Sequence, residues 1–213
     1  MNYYLTGPDG SGKTTYLKEI EALLQNRGEQ PKHIWIRSPK IFSKPLMAYC
    51  RLVGLTKYQY IDGCRYGSHD FYKSKFVSCI FPVLQLLDFK IELLKLRARI
   101  DNSSKFILFD RYALDTLADL MVDTHRLDLH KKWIGKRFLK LINEEYHTII
   151  LKVDEKNIKS RKLDTRYDPN TALKNKVYSI LAHDLELLEI CNNRNMDIVM
   201  QDIIKGFKLN ERF

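Results

Sequence analysis

Residues 7–15 read Gly7-Pro8-Asp9-Gly10-Ser11-Gly12-Lys13-Thr14-Thr15, directly after the short apolar run Tyr3-Tyr4-Leu5. The pattern G-x-x-x-x-G-K-[ST] stands here between a first strand and a first helix, the context in which it binds phosphate rather than making an ordinary Gly-rich turn. Gly7, Gly10 and Gly12 let the backbone curl so that successive N–H groups, including those of Asp9, Ser11 and Thr15, face one centre. A helix opening at Lys13 adds its N-terminal dipole. Lys13 has the reach to touch β- and γ-phosphates, and the Thr14 hydroxyl sits where a Mg²⁺ ligand is required. The loop therefore implies ATP with Mg²⁺.

Outward from the loop the chain alternates strand and helix, the signature of a parallel α/β sheet. A helix is expected over Lys13–Arg27, with Leu17, Ile20, Leu23 and Leu24 on one face and Gly28 as its stop. A second strand is expected over His33–Arg37, ended by Ser38-Pro39. Ile41–Leu52 reads as helical; the rest of 40–75 is aromatic and punctuated by glycines, and reads as a functional loop or lid. A helix over Ser74–Arg99, interrupted near Pro82, precedes a third strand at Phe106–Phe109. Helices at Ala113–Thr124 and Leu129–Glu144, a fourth strand at His147–Val153, a helix over Asn170–Asn192 and a fifth strand at Met196–Met200 complete the expectation. The fold class is thus a three-layer α/β P-loop fold with a parallel sheet of about five strands. One domain is expected over 1–213, with 40–75 on the acceptor side and a lid over 154–168.

Composition narrows the function. Hydrophobic residues make up 45% of the 213-residue chain, which is ordinary for a globular protein. No apolar run approaches the ~18 residues of a membrane span. Cys50, Cys64, Cys79 and Cys191 show no C-x-x-C spacing, which argues against a zinc site and suits reduced thiols in the cytoplasm. The net charge of +10 fits either a nucleic-acid surface or a site for polyanionic small molecules. The basic residues are scattered rather than blocked, which favours the small molecules.

Phe106-Ile107-Leu108-Phe109-Asp110 places a carboxylate at the end of a buried strand, beside the phosphate loop, where it can hold Mg²⁺ directly or through water. Arg111 follows at once and offers a planar fork for a phosphate. After Val153 comes an acidic turn and a basic segment carrying Arg161 and Arg166. That is the layout of a lid over ATP phosphates, and also that of a solvated basic helix.

Taken together these stretches resemble the thymidylate kinase family of P-loop nucleoside monophosphate kinases. The loop with its acidic third residue Asp9, the Asp110-Arg111-Tyr112 triplet, and Val153 followed eight residues later by Arg161 match that family's motifs. Met196–Asp202 is similar to its last strand. The resemblance implies that Asp110 and Arg111 serve metal and monophosphate, that Arg37 binds the acceptor phosphate, and that the protein is a homodimer. It also exposes departures. Arg37-Ser38-Pro39-Lys40 stands for the family's Arg-Glu-Pro-Gly, and Lys90, twenty residues before Asp110, occupies the place of a base-reading Asn-Arg. Asp115 and Asp119, one helical turn apart, read either as acceptor ligands or as exposed helix charges.

The sequence therefore points to γ-phosphoryl transfer from Mg·ATP to a phosphorylated acceptor, a nucleoside monophosphate in the first place. Lys13, Asp110, Arg111, Arg161 and Arg166 are the expected catalytic groups, and Thr14 and Asp110 the metal ligands. Gly7, Asp9, Gly10, Ser11, Gly12, Lys13, Thr14 and Thr15 are expected to hold ATP; Arg37, Lys90, Arg111 and Asp115 the acceptor. Transfer to a sugar or nucleoside hydroxyl, action on nucleic acid, and a non-catalytic nucleotide switch remain the competing readings.

Overall fold

Tyr3 and Tyr4 are both fully buried, on opposite faces of one strand. In the computed structural model, which describes residues 1–61, 64–99, 104–142, 145–161 and 168–209, that strand is β1 (Asn2–Thr6), the centre of a five-stranded sheet. It lies between β5 (Ile107–Asp110) and β6 (Tyr146–Lys152); β2 (Lys32–Ile34) flanks β5 and β7 (Leu188–Cys191) flanks β6. Every pairing is parallel. A parallel sheet is buried on both faces, and the side-chain alternation of β1 shows both cores. Tyr3 and Leu5 pack with Leu17 and Ile20 of α1 (Lys13–Asn26) and Ile203 of α8 (Met196–Gly206). Tyr4 packs with Phe89 of α3 (Lys75–Arg99), Leu117 of α4 (Ala113–Asp123), Phe138 of α5 (Trp133–Leu139) and Leu181 of α7 (Thr171–Asp184).

The register sets the site. Leu5 pairs with Asp110, so the carboxyl end of β5 comes up beside the loop that leaves β1. This is the end of an open parallel sheet where ligands bind. β2 is shorter than expected: its ladder ends at Ile34, and one further bond, Ile36 N–H to the Arg111 carbonyl at 3.1 Å, ties the chain to β5. Arg37 is thereby released beyond the sheet edge.

Further expectations are corrected. The stretch after α2 (Ser43–Leu52) is no loop but an antiparallel hairpin, β3 (Thr56–Ile61) on β4 (Cys64–His69). Gly67 stands opposite Tyr58 in the ladder, where a Cβ would lie 3.1 Å from the Tyr58 ring. The helix expected over Asn170–Asn192 stops at Asp184. Glu186 takes a left-handed turn (φ 51°) and Leu188–Cys191 joins the sheet as its last strand. Met196–Met200 is then not a strand but the first part of α8: the Asn195 side chain caps it by accepting from Asp197 N–H at 2.8 Å, and Val199 and Ile203, four apart, are its buried face. α3 runs through Pro82 without a break. The buried flanks Phe81, Leu86 and Phe89 offset the roughly 3 kcal/mol that an interior proline costs.

Candidate active site

The loop between β1 and α1 is built by glycine where nothing else fits. Gly7, Gly10 and Gly12 all have positive φ, and a Cβ on Gly7 would lie 2.4 Å from the Leu151 carbonyl oxygen. Gly12 precedes α1 without a side-chain cap, so the first N–H groups of that helix are left for an anion. Lys13 turns back onto the loop: its Nζ donates to the carbonyls of Gly7 at 2.6 Å and Pro8 at 2.8 Å and to Ser11 Oγ at 3.4 Å. Burial pulls the Lys13 ammonium down to about 8, against the opposing charges of Asp115 and Asp110. Gly10, Gly12, Thr14 and Thr15 line a cleft of about 290 Å³, closed by Asp9 and Arg111.

Thr14 and Asp110, the two expected metal ligands, are together: the Thr14 hydroxyl donates to Asp110 Oδ2 at 2.6 Å. A hydroxyl and a carboxylate suit Mg²⁺, which takes hard oxygen ligands and keeps most of its shell for water and phosphate.

A second cavity, about 300 Å³, opens beyond the first. Arg37, Lys40 and Lys174 bring positive charge to it, Asp119 and Asp123 stand on the inward face of α4, and Phe81 and Gln85 come from α3. The hairpin contributes Gly67 and His69, so the segment over 40–75 does stand on this side. Burial, with the nearby Lys40 charge, pulls His69 down to about 4. The neutral ring meets Thr56 Oγ1 through Nδ1 at 3.1 Å and stacks on Phe71. Burial, then the neighbouring Asp119 charge, pushes the Asp123 carboxyl well above the usual carboxylate range.

One carboxylate joins the two cavities. Asp9 Oδ2 accepts from Arg37 Nη2 at 3.1 Å, and Asp9 Oδ1 accepts from Arg111. Arg37 also reaches Asp119 through Nε at 3.4 Å, and Lys174 stands 4.0 Å from Asp9 and 2.6 Å from Asp168. Arg111 holds its place in a left-handed conformation (φ 79°), a strain that non-glycine residues tolerate mainly at functional sites.

The fold that carries these two cavities has a counterpart among solved structures. No family model and no curated protein sequence matches the chain. The crystal structure of thymidylate kinase from Ehrlichia chaffeensis superposes over 98% of this chain and 98% of its own, with a TM-score of 0.55 at 15% sequence identity. The fold is that of thymidylate kinase. At that identity the likeness is one of architecture, and the thymidylate kinase fold is what the five-stranded parallel sheet with flanking helices realises here.

Within it, two expected acceptor residues lie elsewhere. Lys90 is exposed on α3, which meets the cavity through Phe81 and Gln85 instead. Asp115 is neither a cavity residue nor an exposed charge. It is fully buried at the start of α4, accepting from the Tyr4 hydroxyl at 2.6 Å, the Tyr178 hydroxyl at 3.0 Å and Tyr112 N–H at 3.1 Å. Burial first and the Asp115 charge second keep both phenols protonated. From beneath, Asp115 Oδ1 stands 3.6 Å from Arg111 Nη1, so its side-chain contacts are with the arginine and the two phenols. The lid expected over 154–168 falls largely outside the described residues: α6 (Glu155–Arg161) ends at Arg161, and Arg166 lies outside them.

One residue that sequence reasoning missed belongs to the loop's own framework. Asn192 follows β7, buried; its Nδ2 donates to the Ser11 carbonyl at 2.8 Å and its Oδ1 accepts from the Tyr16 hydroxyl at 2.7 Å. The signal for it is position alone, the residue just past the carboxyl end of a parallel strand.

Proposed function

We propose that this protein is an ATP-dependent phosphotransferase whose acceptor is itself a phosphate group, that of a nucleoside monophosphate. The observation that carries the reading is the Arg37–Asp9–Arg111 bridge, with Arg111 and Asp9 lining the phosphate cleft and Arg37 lining the neighbouring cavity. Two guanidinium groups at the junction of two cavities suit two phosphates brought end to end. A hydroxyl acceptor has no use for the second.

In this reading the loop backbone and Lys13 take the β- and γ-phosphates, Lys13 exchanging the Gly7 and Pro8 carbonyls for phosphate oxygens. Its depressed pKa then recovers beside the anion. Thr14 and Asp110 would hold Mg²⁺, which would supply charge neutralisation for the phosphates. Arg37 takes the acceptor phosphate and Arg111 the group in transit, both released from Asp9. The attacking oxygen of a phosphate is already ionised, so no strong base is needed. Positioning and electrostatics supply the rate. Arg161 and Arg166 close a lid over the donor. The family likeness, the absence of a membrane-length apolar helix among the described residues and the free Cys50, Cys79 and Cys191 support a kinase working in a reducing compartment such as the cytoplasm. Phe76, Ile80, Leu87 and Leu94, exposed at helical spacing along α3, support a homodimer.

Lys13→Ala tests the reading. Transfer from Mg·ATP to a nucleoside monophosphate should fall by about a thousandfold, with the thermal unfolding midpoint retained. A variant that transfers at the parent rate contradicts it.

A further inference from the structure

Gln85 lines the acceptor cavity and is almost fully buried, yet its Oε1 has no hydrogen-bond partner. Which end of that amide is free follows from its neighbours. Ser43 Oγ donates its proton to the Asp88 carboxylate at 2.6 Å, so towards Gln85 it can only accept. The Pro39 carbonyl is likewise an acceptor. Gln85 Nε2 donates to both, at 2.9 and 3.1 Å. Asp88 is itself fixed by the backbone N–H groups of Phe42 and Ser43 at the start of α2. The amide cannot turn over without setting acceptor against acceptor, and the atom it leaves unpaired is an acceptor. Asp123, in the same wall, engages no donor among the described residues. One turn before Gln85 along α3 stands Phe81, a flat apolar surface in the same cavity.

From this wall we propose that the acceptor is the monophosphate of a single-ring, amino-bearing base of the cytosine type, lying against Phe81 with its exocyclic amine towards Gln85 Oε1 and Asp123. The proposal rests on the phosphotransferase reading above and names its substrate. Carboxyl and amide oxygens are the natural partners of a base's amino group. Thymine and uracil carry a carbonyl where cytosine carries the amine, and would turn it onto Gln85 Oε1. A buried acceptor then stays unpaired, and sites built to receive an N–H reject analogues lacking it strongly. Held towards its neutral form by burial and Asp119, Asp123 still offers a carbonyl oxygen. The cavity, about 300 Å³, stands at the lower end of the roughly 300–1,000 Å³ typical of ligand sites, which favours one ring over two.

The test is steady-state transfer from Mg·ATP by the full chain to CMP, dCMP, UMP, dTMP and AMP, repeated with Gln85→Met. The expected result is kcat/KM highest for CMP or dCMP, exceeding UMP and dTMP by about tenfold or more. In Gln85→Met that ratio should fall to within about threefold. The ranking needs no variant, so it decides even if Gln85→Met fails to fold. UMP, dTMP or AMP as the best acceptor, or a preference for cytosine unmoved by Gln85→Met, overturns the proposal while leaving the phosphotransferase reading intact. Transfer to none of the five overturns both.

Discussion

The Thr14 hydroxyl donates to Asp110 Oδ2 across 2.6 Å, binding the last turn of the phosphate loop to the end of β5. Two residues ninety-six positions apart in the chain thus share one point in space, set by the pairing of Leu5 with Asp110. Replacing the carboxylate removes charge from that point without changing its shape. Asp110→Asn is expected to lower turnover by about a hundredfold or more and to raise the Mg²⁺ concentration needed for half-maximal rate. Titrating the rate with Mg²⁺ at saturating ATP measures both.

Arg37 and Arg111 face the same carboxylate from different cavities, so their variants should separate. Arg37→Lys keeps the charge and loses the fork. It is expected to raise the acceptor KM by about tenfold while the ATP KM stays within about twofold. Initial-rate kinetics with each substrate varied in turn distinguish this from a general loss.

Asp115 should behave as a structural residue. Asp115→Ala leaves the Tyr4 and Tyr178 hydroxyls and Tyr112 N–H without their acceptor in a fully buried site. A loss of about 2–5 kcal/mol in unfolding free energy is expected, read by chemical denaturation. If the variant is fully stable and only the acceptor KM moves, Asp115 belongs to the acceptor after all.

Asn192 holds the phosphate loop from behind. Asn192→Ala removes the donor to the Ser11 carbonyl and an acceptor of the Tyr16 hydroxyl together, and is expected to cost about 1–3 kcal/mol of stability. It should also weaken ATP binding while leaving the acceptor KM alone. Calorimetric ATP titration of the variant checks the coupling.

His69 gives the fold a pH dependence of known sign. Its folded pKa, about 4, lies below the ordinary value near 6.5, so the unfolded chain binds the proton more readily. The contribution is fully present above about pH 6.5 and is lost progressively as pH falls towards 4. In His69→Gln the unfolding midpoint should fall less steeply over that window. Equal slopes would show that His69 is not buried in neutral form.

What the sequence showed, and what it withheld, divides by range. Gly7 to Thr15 is contiguous, and its chemistry is legible because every member of the loop is a neighbour of the next. Arg37, Asp110 and Arg111 are legible because each follows an apolar run that reads as a strand. The hairpin escaped despite Asp62-Gly63 between two runs of β-formers, a standard hairpin signal, because the tyrosines around it suggested a loop. β7 and α8 were exchanged because Leu187–Cys191 continues an apolar helix pattern without a break. The Asn195 cap and the Val199–Ile203 spacing were the overlooked counter-signals. Asp115, Gln85 and Asp123 could not be sorted locally. Asp115 meets Tyr4 across 111 positions and Gln85 meets Ser43 across 42, and neither pairing leaves a mark on the helix that carries it.

The most direct test of the central claim, that the two cavities are donor and acceptor halves of one site, is titration with a bisubstrate compound in which adenosine and a nucleoside are joined 5′ to 5′ through five phosphates. One molecule should bind per chain, about a hundredfold or more tighter than ATP, and Arg37→Ala should return its affinity to that of ATP. Binding no tighter than ATP, or indifferent to Arg37→Ala, would show that the second cavity is not the acceptor's.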